Sequence, residues 1–182
     1  MLKNLNEKKK SMIIETDRLI LQKLKQKNIQ TLHDKIFTNK NVMEYAFSEK
    51  IFSFNETKAF ISQNFIHDNS SIGLAPLFLK QNNTLIGFAG ILECDYFETK
   101  DYEFGFILAN EFWHQGYATE IGKAQIKFLF QTFKFNRILA LANQNNIASK
   151  AVLTKLKMNH IKNIVTKDRG TREIYMANKY NK

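Results

Sequence analysis

The amino-acid sequence predicts one mixed α/β domain, with a mostly antiparallel central sheet flanked by about four helices. Three observations carry that expectation. The stretches "LAPLFLK", "TLIGFAGILE" and "DYEFGFIL" follow one another as short apolar or alternating runs, the mark of strands in a meander. Four other stretches read as helices, two of them with apolar residues at helical spacing. A chain of 182 residues, 44% of them hydrophobic, is long enough for one sizeable core and too short for two full-sized domains.

Residues 1–11 are polar, charged and without periodicity, so they read as a mobile N-terminal arm with Met12 as an alternative first residue. The domain is drawn over 12–182. "IIETDRLILQKL" reads as a first strand, with Ile14, Leu19 and Leu21 among its apolar positions. Lys27 to Phe37 and Asn55 to Phe65 read as helices, the second entered through "SFNET", where Asn55 or Ser53 is placed to cap the first turn.

The meander begins near Gly73, its strands separated by "QNN" and "CDYFETK". In its third strand Tyr102, Phe104, Phe106 and Leu108 point one way, and Glu103, Gly105 and Ile107 the other. A glycine inside a strand, Gly105, marks a bulge or a place where another molecule's backbone comes close. A helix from Gly116 to Phe133 follows, with Ile126, Leu129, Phe130 and Phe133 on one face. The strand "RILALAN" leads to a helix opened by "NQNNIASKAV", with Ala148, Ala151, Val152 and Leu156 on its apolar face. Strands from His160 to Thr166 and from Arg172 to Ala177 end the chain, and no internal repeat or low-complexity linker interrupts it.

Composition narrows the function classes. No apolar run approaches the roughly 20 residues that span a bilayer, and no apolar segment behind "MLKNLNEKKK" suggests a secretory signal, so a cytoplasmic protein with no membrane partner is expected. The single cysteine, Cys94, cannot form an internal disulfide or a multi-thiolate metal site, and no metal is expected. The formal net charge of +10 invites a nucleic-acid reading. Its lysines and arginines are scattered and no nucleic-acid-binding signature is present, so no direct nucleic-acid partner is expected. A general attraction to an anionic assembly such as the ribosome is the other reading.

One loop stands out. In "EFWHQGYATE" a glycine and a small residue two places on precede an amphipathic helix. Helix N-termini expose N–H donors at the positive end of the helix dipole, so such a loop is built for an anion. Gly116 permits close backbone approach, Ala118 keeps the next contact open and Thr119 adds a hydroxyl. The same pattern also fits an ordinary turn and cap.

The chain resembles the GNAT superfamily of acetyl-CoA-dependent N-acetyltransferases, most of all its RimJ/RimL-like branch. "TDRLILQKL", "LIGFAGI", "YEFGFILANEFWHQGYATEIGKAQIKFLF" and "NRILALANQNNIASKAVLTKL" carry the resemblance in order and at matching separations, from about Glu15 to Ala177. The resemblance implies a splayed sheet with acetyl-CoA between the strand Glu103 to Leu108 and the strand Arg137 to Asn143. Backbone groups around Phe106, Ile107 and Leu108 would pair with the pantetheine arm. The backbone N–H groups of Gln115, Gly116, Tyr117, Ala118 and Thr119 would hold the pyrophosphate. Asn146 would bond the pantetheine amide, and Ser149 would lie near the thioester sulfur. The sequence departs from the family at Trp113, where the loop pattern has Gln or Arg, and at Lys157, where a glycine normally ends the helix.

Acetyl transfer needs a neutral amine, although a free α-amine has a pKa near about 8 and a lysine-type amine near about 10.4, so a base is required. Glu103 is the first candidate, a carboxylate within an otherwise apolar strand. Its alternative is a structural role, bonded to a neighbouring strand or to Arg137, and Glu93 is the reserve. An N–H near Ile107 or Leu108 would meet charge on the thioester oxygen. Ser149 would serve the leaving thiolate, with Tyr175 as a substitute, and Cys94 has no activating partner. The acceptor is expected to be a primary amine, with a ribosomal or other protein N-terminus first. The alternatives are a small amine (polyamine, amino acid or aminoglycoside) or a non-catalytic acyl-CoA-binding module, and the chain is a monomer or homodimer. Tyr45, Phe47, Phe52 and Phe54 are placed to line the acceptor end, together with the loop "VTKDRGTREIY".

Overall fold

The computed structural model describes residues 12–67, 70–133 and 135–179, and the arm expected over residues 1–11 lies outside them. Where one opening strand is expected the chain makes two, β1 (Met12–Glu15) and β2 (Leu19–Gln22), paired antiparallel. Thr16 causes the break. Its N–H donates to the Leu19 carbonyl at 3.0 Å and its hydroxyl accepts the Leu19 N–H at 2.9 Å, a side-chain-closed turn that apolar spacing does not reveal.

Helix α1 (Asn28–Leu32) runs straight into a π-helical turn, His33–Phe37, and together they fill the first expected helix. A short helix, α2 (Lys40–Met43), capped by Asn39, lies in a segment read as loop. Helix α3 (Phe54–Asn64) is capped by Ser53, not Asn55: Ser53 and Glu56 form a reciprocal capping box. The remaining elements are β3 (Gly73–Leu79), β4 (Leu85–Cys94), β5 (Asp101–Leu108), α4 (Tyr117–Thr132), β6 (Arg137–Asn143), α5 (Ile147–Lys155), β7 (Asn159–Thr166) and β8 (Gly170–Asn178). Counting α2, five α-helices flank the sheet among the described residues.

The eight strands form one sheet in the order β1-β2-β3-β4-β5-β6-β8-β7. Every neighbouring pair is antiparallel except β5 with β6. Those two strands share a single registered pair, Glu103 with Leu139. Beyond it they diverge, and the sheet splays.

Alternation along β3 distributes the core. Leu74 and Phe78 join Leu32, Phe37 and Ile61 under α1 and α3, while Ala75, Leu77 and Leu79 join Tyr117 and Ile121 of α4. A third cluster packs Leu129, Leu153 and Leu156 over Phe104, Ile138 and Ala140. Helix α5 ends on Lys157 at φ 58°, with Met158 N–H on the Leu153 carbonyl and Lys157 N–H on that of Thr154. This is the left-handed helix end that normally uses glycine, formed here by lysine.

Candidate active site

The splay leaves one edge of β5 open. Ala109 N–H donates to the Ile86 carbonyl at 2.9 Å, and Ile107 lies opposite Phe88. By antiparallel alternation Ile107 turns its backbone groups toward β4, and Phe106 and Leu108 turn theirs toward the gap beside β6. Trp113 Nε1 donates to the Leu108 carbonyl at 2.8 Å. The backbone of Phe106 and the N–H of Leu108 therefore have no registered strand partner on β6 among the described residues. Of the two donors expected near the reacting carbonyl, Leu108 rather than Ile107 faces the gap. Gly105 is no bulge: β4 and β5 stay in register from Gly87–Leu108 to Cys94–Asp101. A Cβ placed on Gly105 would meet nothing within 4 Å, so this glycine leaves room on the cleft wall.

Helix α4 opens onto the same gap. Its N-cap is Gly116 in the left-handed region at φ +82°, and no side chain caps it. The first intrahelical bond runs from Glu120 N–H to the Gly116 carbonyl, so the N–H groups of Tyr117, Ala118 and Thr119 lie in the unbonded first turn. Arg18 braces this turn from behind. Its Nε meets Glu120 Oε2 at 2.6 Å, its Nη1 meets the Gln115 carbonyl at 3.0 Å, and its guanidinium lies 4.5 Å over the Tyr117 ring. Glu120 also accepts from Thr16 Oγ1 at 2.6 Å and from Arg18 N–H at 2.9 Å. Burial works against the Glu120 anion, but these hydrogen bonds outweigh it and hold the carboxyl below the usual carboxylate range.

One cleft of about 1630 Å³ collects nearly all the residues singled out from sequence. Glu103, Phe106, Ile107, Leu108, Gly116, Tyr117, Ala118, Thr119, Asn146 and Ser149 all line it. Gln115 does not: its side chain folds back to donate to the Glu111 carbonyl at 2.9 Å. Asn146 caps α5, its Oδ1 accepting the Ser149 N–H at 2.9 Å. His114, Tyr45, Phe47 and Phe52 reach the cleft, and Phe54 instead packs its ring edge-on against His33.

Glu103 is only 5% exposed. Its Oε1 accepts from Arg169 Nη2 at 2.8 Å and its Oε2 from the Tyr96 hydroxyl at 2.8 Å. Its ion-pair partner is thus Arg169 rather than Arg137, which is engaged with Asp101 at 2.5 Å. The reserve carboxylate, Glu93, lies opposite Tyr102 and so on the other face from Glu103; it is exposed and pairs with Lys100 at 2.6 Å. Tyr175 is also away from the cleft wall. Its hydroxyl donates to Glu173 at 2.8 Å, and burial with that carboxylate pushes its pKa up to about 12. Cys94 is half-buried, and burial together with Glu103, Asp101 and Asp95 pushes its thiol up to about 12, which leaves it unsuited to act as a nucleophile.

Comparison with known proteins agrees with this geometry. Residues 18–159 match the family profile described as Acetyltransferase (GNAT) domain. The chain belongs to the GNAT acetyltransferase family. It is 31% identical over 147 residues to the uncharacterised N-acetyltransferase YnaD of Bacillus subtilis, covering 81% of this chain and 82% of that one. Among solved structures it is similar to a GNAT-family acetyltransferase from Bacillus anthracis, at 25% identity and a TM-score of 0.74, covering 91% and 97% of the two chains. It shares its fold with a RimL ribosomal alpha-N-protein acetyltransferase in complex with coenzyme A, at 16% identity and a TM-score of 0.75, covering 92% and 97%. The protein is therefore an N-acetyltransferase by family.

Several residues of this GNAT cleft are not apparent from sequence. Arg172 is 3% exposed and lines the cleft with Asn143, which is 7% exposed. Asn143 Nδ2 donates to Glu49 Oε1 at 2.6 Å, and Arg172 reaches the same oxygen at 3.4 Å and the Phe47 carbonyl at 2.8 Å. The only hint was the loop "VTKDRGTREIY"; which of its side chains turn inward depends on the β8 register with β6. Among the described residues no helix is long and apolar enough to cross a membrane, and no cluster of three or more His, Cys, Asp or Glu is arranged to hold a metal ion.

Proposed function

We propose that this GNAT protein transfers the acetyl group of acetyl-CoA to a primary amine by direct attack within a ternary complex, in the cytoplasm. The observation that carries the reading is the convergence of two features on one cleft: the uncapped α4 N-terminus behind Gly116 and the free edge of β5 at Phe106 and Leu108. The first is suited to a pyrophosphate and the second to an amide-containing arm that pairs like an added strand. In this reading the N–H groups of residues 115–119 hold the phosphates, Phe106 bonds the pantetheine amides, Leu108 keeps its N–H for the thioester end of the arm, and Ile107 packs against the arm. Asn146 Oδ1 is committed to its own helix, so its Nδ2 is the group offered to the pantetheine carbonyl.

Acetyl-CoA supplies an activated thioester. The amine lone pair forms the new C–N bond as the C–S bond breaks, and coenzyme A leaves as thiolate. The proton lost by the nitrogen passes to Glu103, whose carboxylate has about four lone-pair sites, two of them in use. Leu108 N–H meets the charge that grows on the thioester oxygen. Ser149 hydrogen-bonds the departing sulfur, which ends as a thiol once a proton is returned from Glu103 through solvent.

A protein N-terminal α-amine is one acceptor, as in the RimJ/RimL-like branch, supported by the shared fold with RimL. A small amine that carries a carboxylate, such as an amino acid, is the second, favoured by the buried guanidinium of Arg172 in the cleft wall. The test is titration of the purified protein with acetyl-CoA, followed by thiol release against N-terminal peptides and small amines. Saturable binding with release to one acceptor class is expected; absence of acetyl-CoA binding would overturn the proposal.

A further inference from the structure

We infer that the acceptor amine carries a carboxylate, and that Arg172 with Asn143 is the site that reads it. The inference rests on the transferase reading above and names the substrate class of the same cleft. Arg172 and Asn143 face each other across β8 and β6, are almost fully buried, and both line the cleft. A buried guanidinium is stabilised only by a partner. Its carboxylate partner here is Glu49, 3.4 Å from Arg172 and on a side chain that is 48% exposed.

Glu49 is brought there by an unusual backbone. Phe47 and Glu49 both adopt positive φ, at 43° and 61°, in a segment whose Phe47 carbonyl is also bonded by Arg172. The segment thus presents one carboxylate oxygen to two buried donors, the arrangement that a substrate carboxylate would replace. Glu49 is an internal stand-in for that group.

The other charges of the cleft agree. Arg169 answers Glu103, so that pair is already neutral. Glu56 is spent on the N–H and hydroxyl of Ser53, and Glu44, Lys155, Lys167 and Asp168 are exposed at the rim. Burial, with Arg169 adding to it and Glu49 opposing, holds the Arg172 guanidinium below its ordinary range, as expected where the positive charge is incompletely answered. A polycation would find no unpaired buried carboxylate in this wall. A carboxylate would find two donors.

Two sources of this chemistry are separable: the α-carboxylate of a free amino acid, and an acidic side chain near the N-terminus of a peptide. The experiment measures acetyl transfer by the full chain to phenylalanine against phenylalaninamide, to a peptide with Glu at its second position against Gln, and to spermidine. At least a tenfold preference in kcat/KM for the acid within one of the first two pairs is expected, and which pair shows it identifies the source. Glu49→Gln keeps the shape of the stand-in and removes its charge. It should lower KM for the acidic acceptor about threefold or more relative to KM for the uncharged acceptor. Equal rates for acid and amide, or spermidine as the best acceptor, overturn the inference while leaving the transferase reading intact.

A second readout does not depend on turnover. N-acetylphenylalanine, and the N-acetylated Glu peptide, are compared with their amide counterparts for the rise they cause in melting temperature. Stabilisation by at least one acid and not by its counterpart, lost in Arg172→Gln, supports the inference even if no acceptor is acetylated. No stabilisation by either acid, or equal stabilisation by acid and amide, overturns it.

Discussion

Arg18 in the first hairpin and Glu120 in the first turn of α4 are joined at 2.6 Å across 102 positions of sequence. Through the Gln115 carbonyl the same guanidinium also braces the loop that precedes the helix. Arg18→Ala should weaken acetyl-CoA binding by about tenfold, because the turn proposed to hold the phosphates loses its support. Arg18 is half-exposed, so the stability change should stay within about 1 kcal/mol. Calorimetric titration beside a urea melt separates the two effects.

Glu120 makes the stability of the same corner pH-dependent. Its folded-state pKa is lowered, so the stabilisation is fully present above the ordinary carboxylate value and is lost as pH falls through the lower folded value. Between pH 7 and pH 3 the wild type should lose more stability than Glu120→Gln, and the gap between their urea midpoints should narrow. A constant gap would show that the carboxylate contributes no pH-dependent stabilisation.

Glu103→Gln retains the size of the side chain beside Tyr96 and Arg169 and removes the carboxylate proposed as the base. A fall of about 10²–10⁴ in kcat is expected, with the acetyl-CoA Kd changed by less than about threefold. Because Arg169 loses its anionic partner, a melt must accompany the kinetics. Loss of kcat at temperatures well below the melting point is the informative result.

Cys94 should be inert. With its thiol pushed up to about 12, alkylation by iodoacetamide at pH 8 should be far slower than for an unhindered cysteine. Cys94→Ala should keep its turnover within about twofold, consistent with direct transfer and no acyl-cysteine. Burst kinetics abolished by this substitution would contradict the mechanism.

At the end of α5, Lys157 holds a left-handed conformation at φ 58°. Lys157→Gly removes the Cβ penalty there and should stabilise the protein by about 1 kcal/mol, read as a rise in melting temperature. A loss of stability would mean that the side chain contributes more than its backbone strain costs.

Much of the architecture was legible in local pattern. Alternation along "DYEFGFIL", helical spacing from Ile126 to Phe133 and the small residues of "HQGYAT" are all short-range signals, and the order of these segments carried the family resemblance. The break at Thr16 and the short helix after Asn39 were not legible. Both depend on side-chain bonds to backbone, which leave no period in the sequence.

The sequence by itself determined the fold class, the family and the glycine-containing loop that opens α4, because these follow from neighbours along the chain. Only the tertiary structure decided what each charged group meets. Arg169 rather than Arg137 pairs with Glu103, Arg18 reaches Glu120, and Arg172 shares Glu49 with Asn143. The chain has four arginines and eleven glutamates, and nothing local states which of them pair. Those pairings follow from strand order and register, which bring together residues up to 123 positions apart and so set the electrostatics of the cleft.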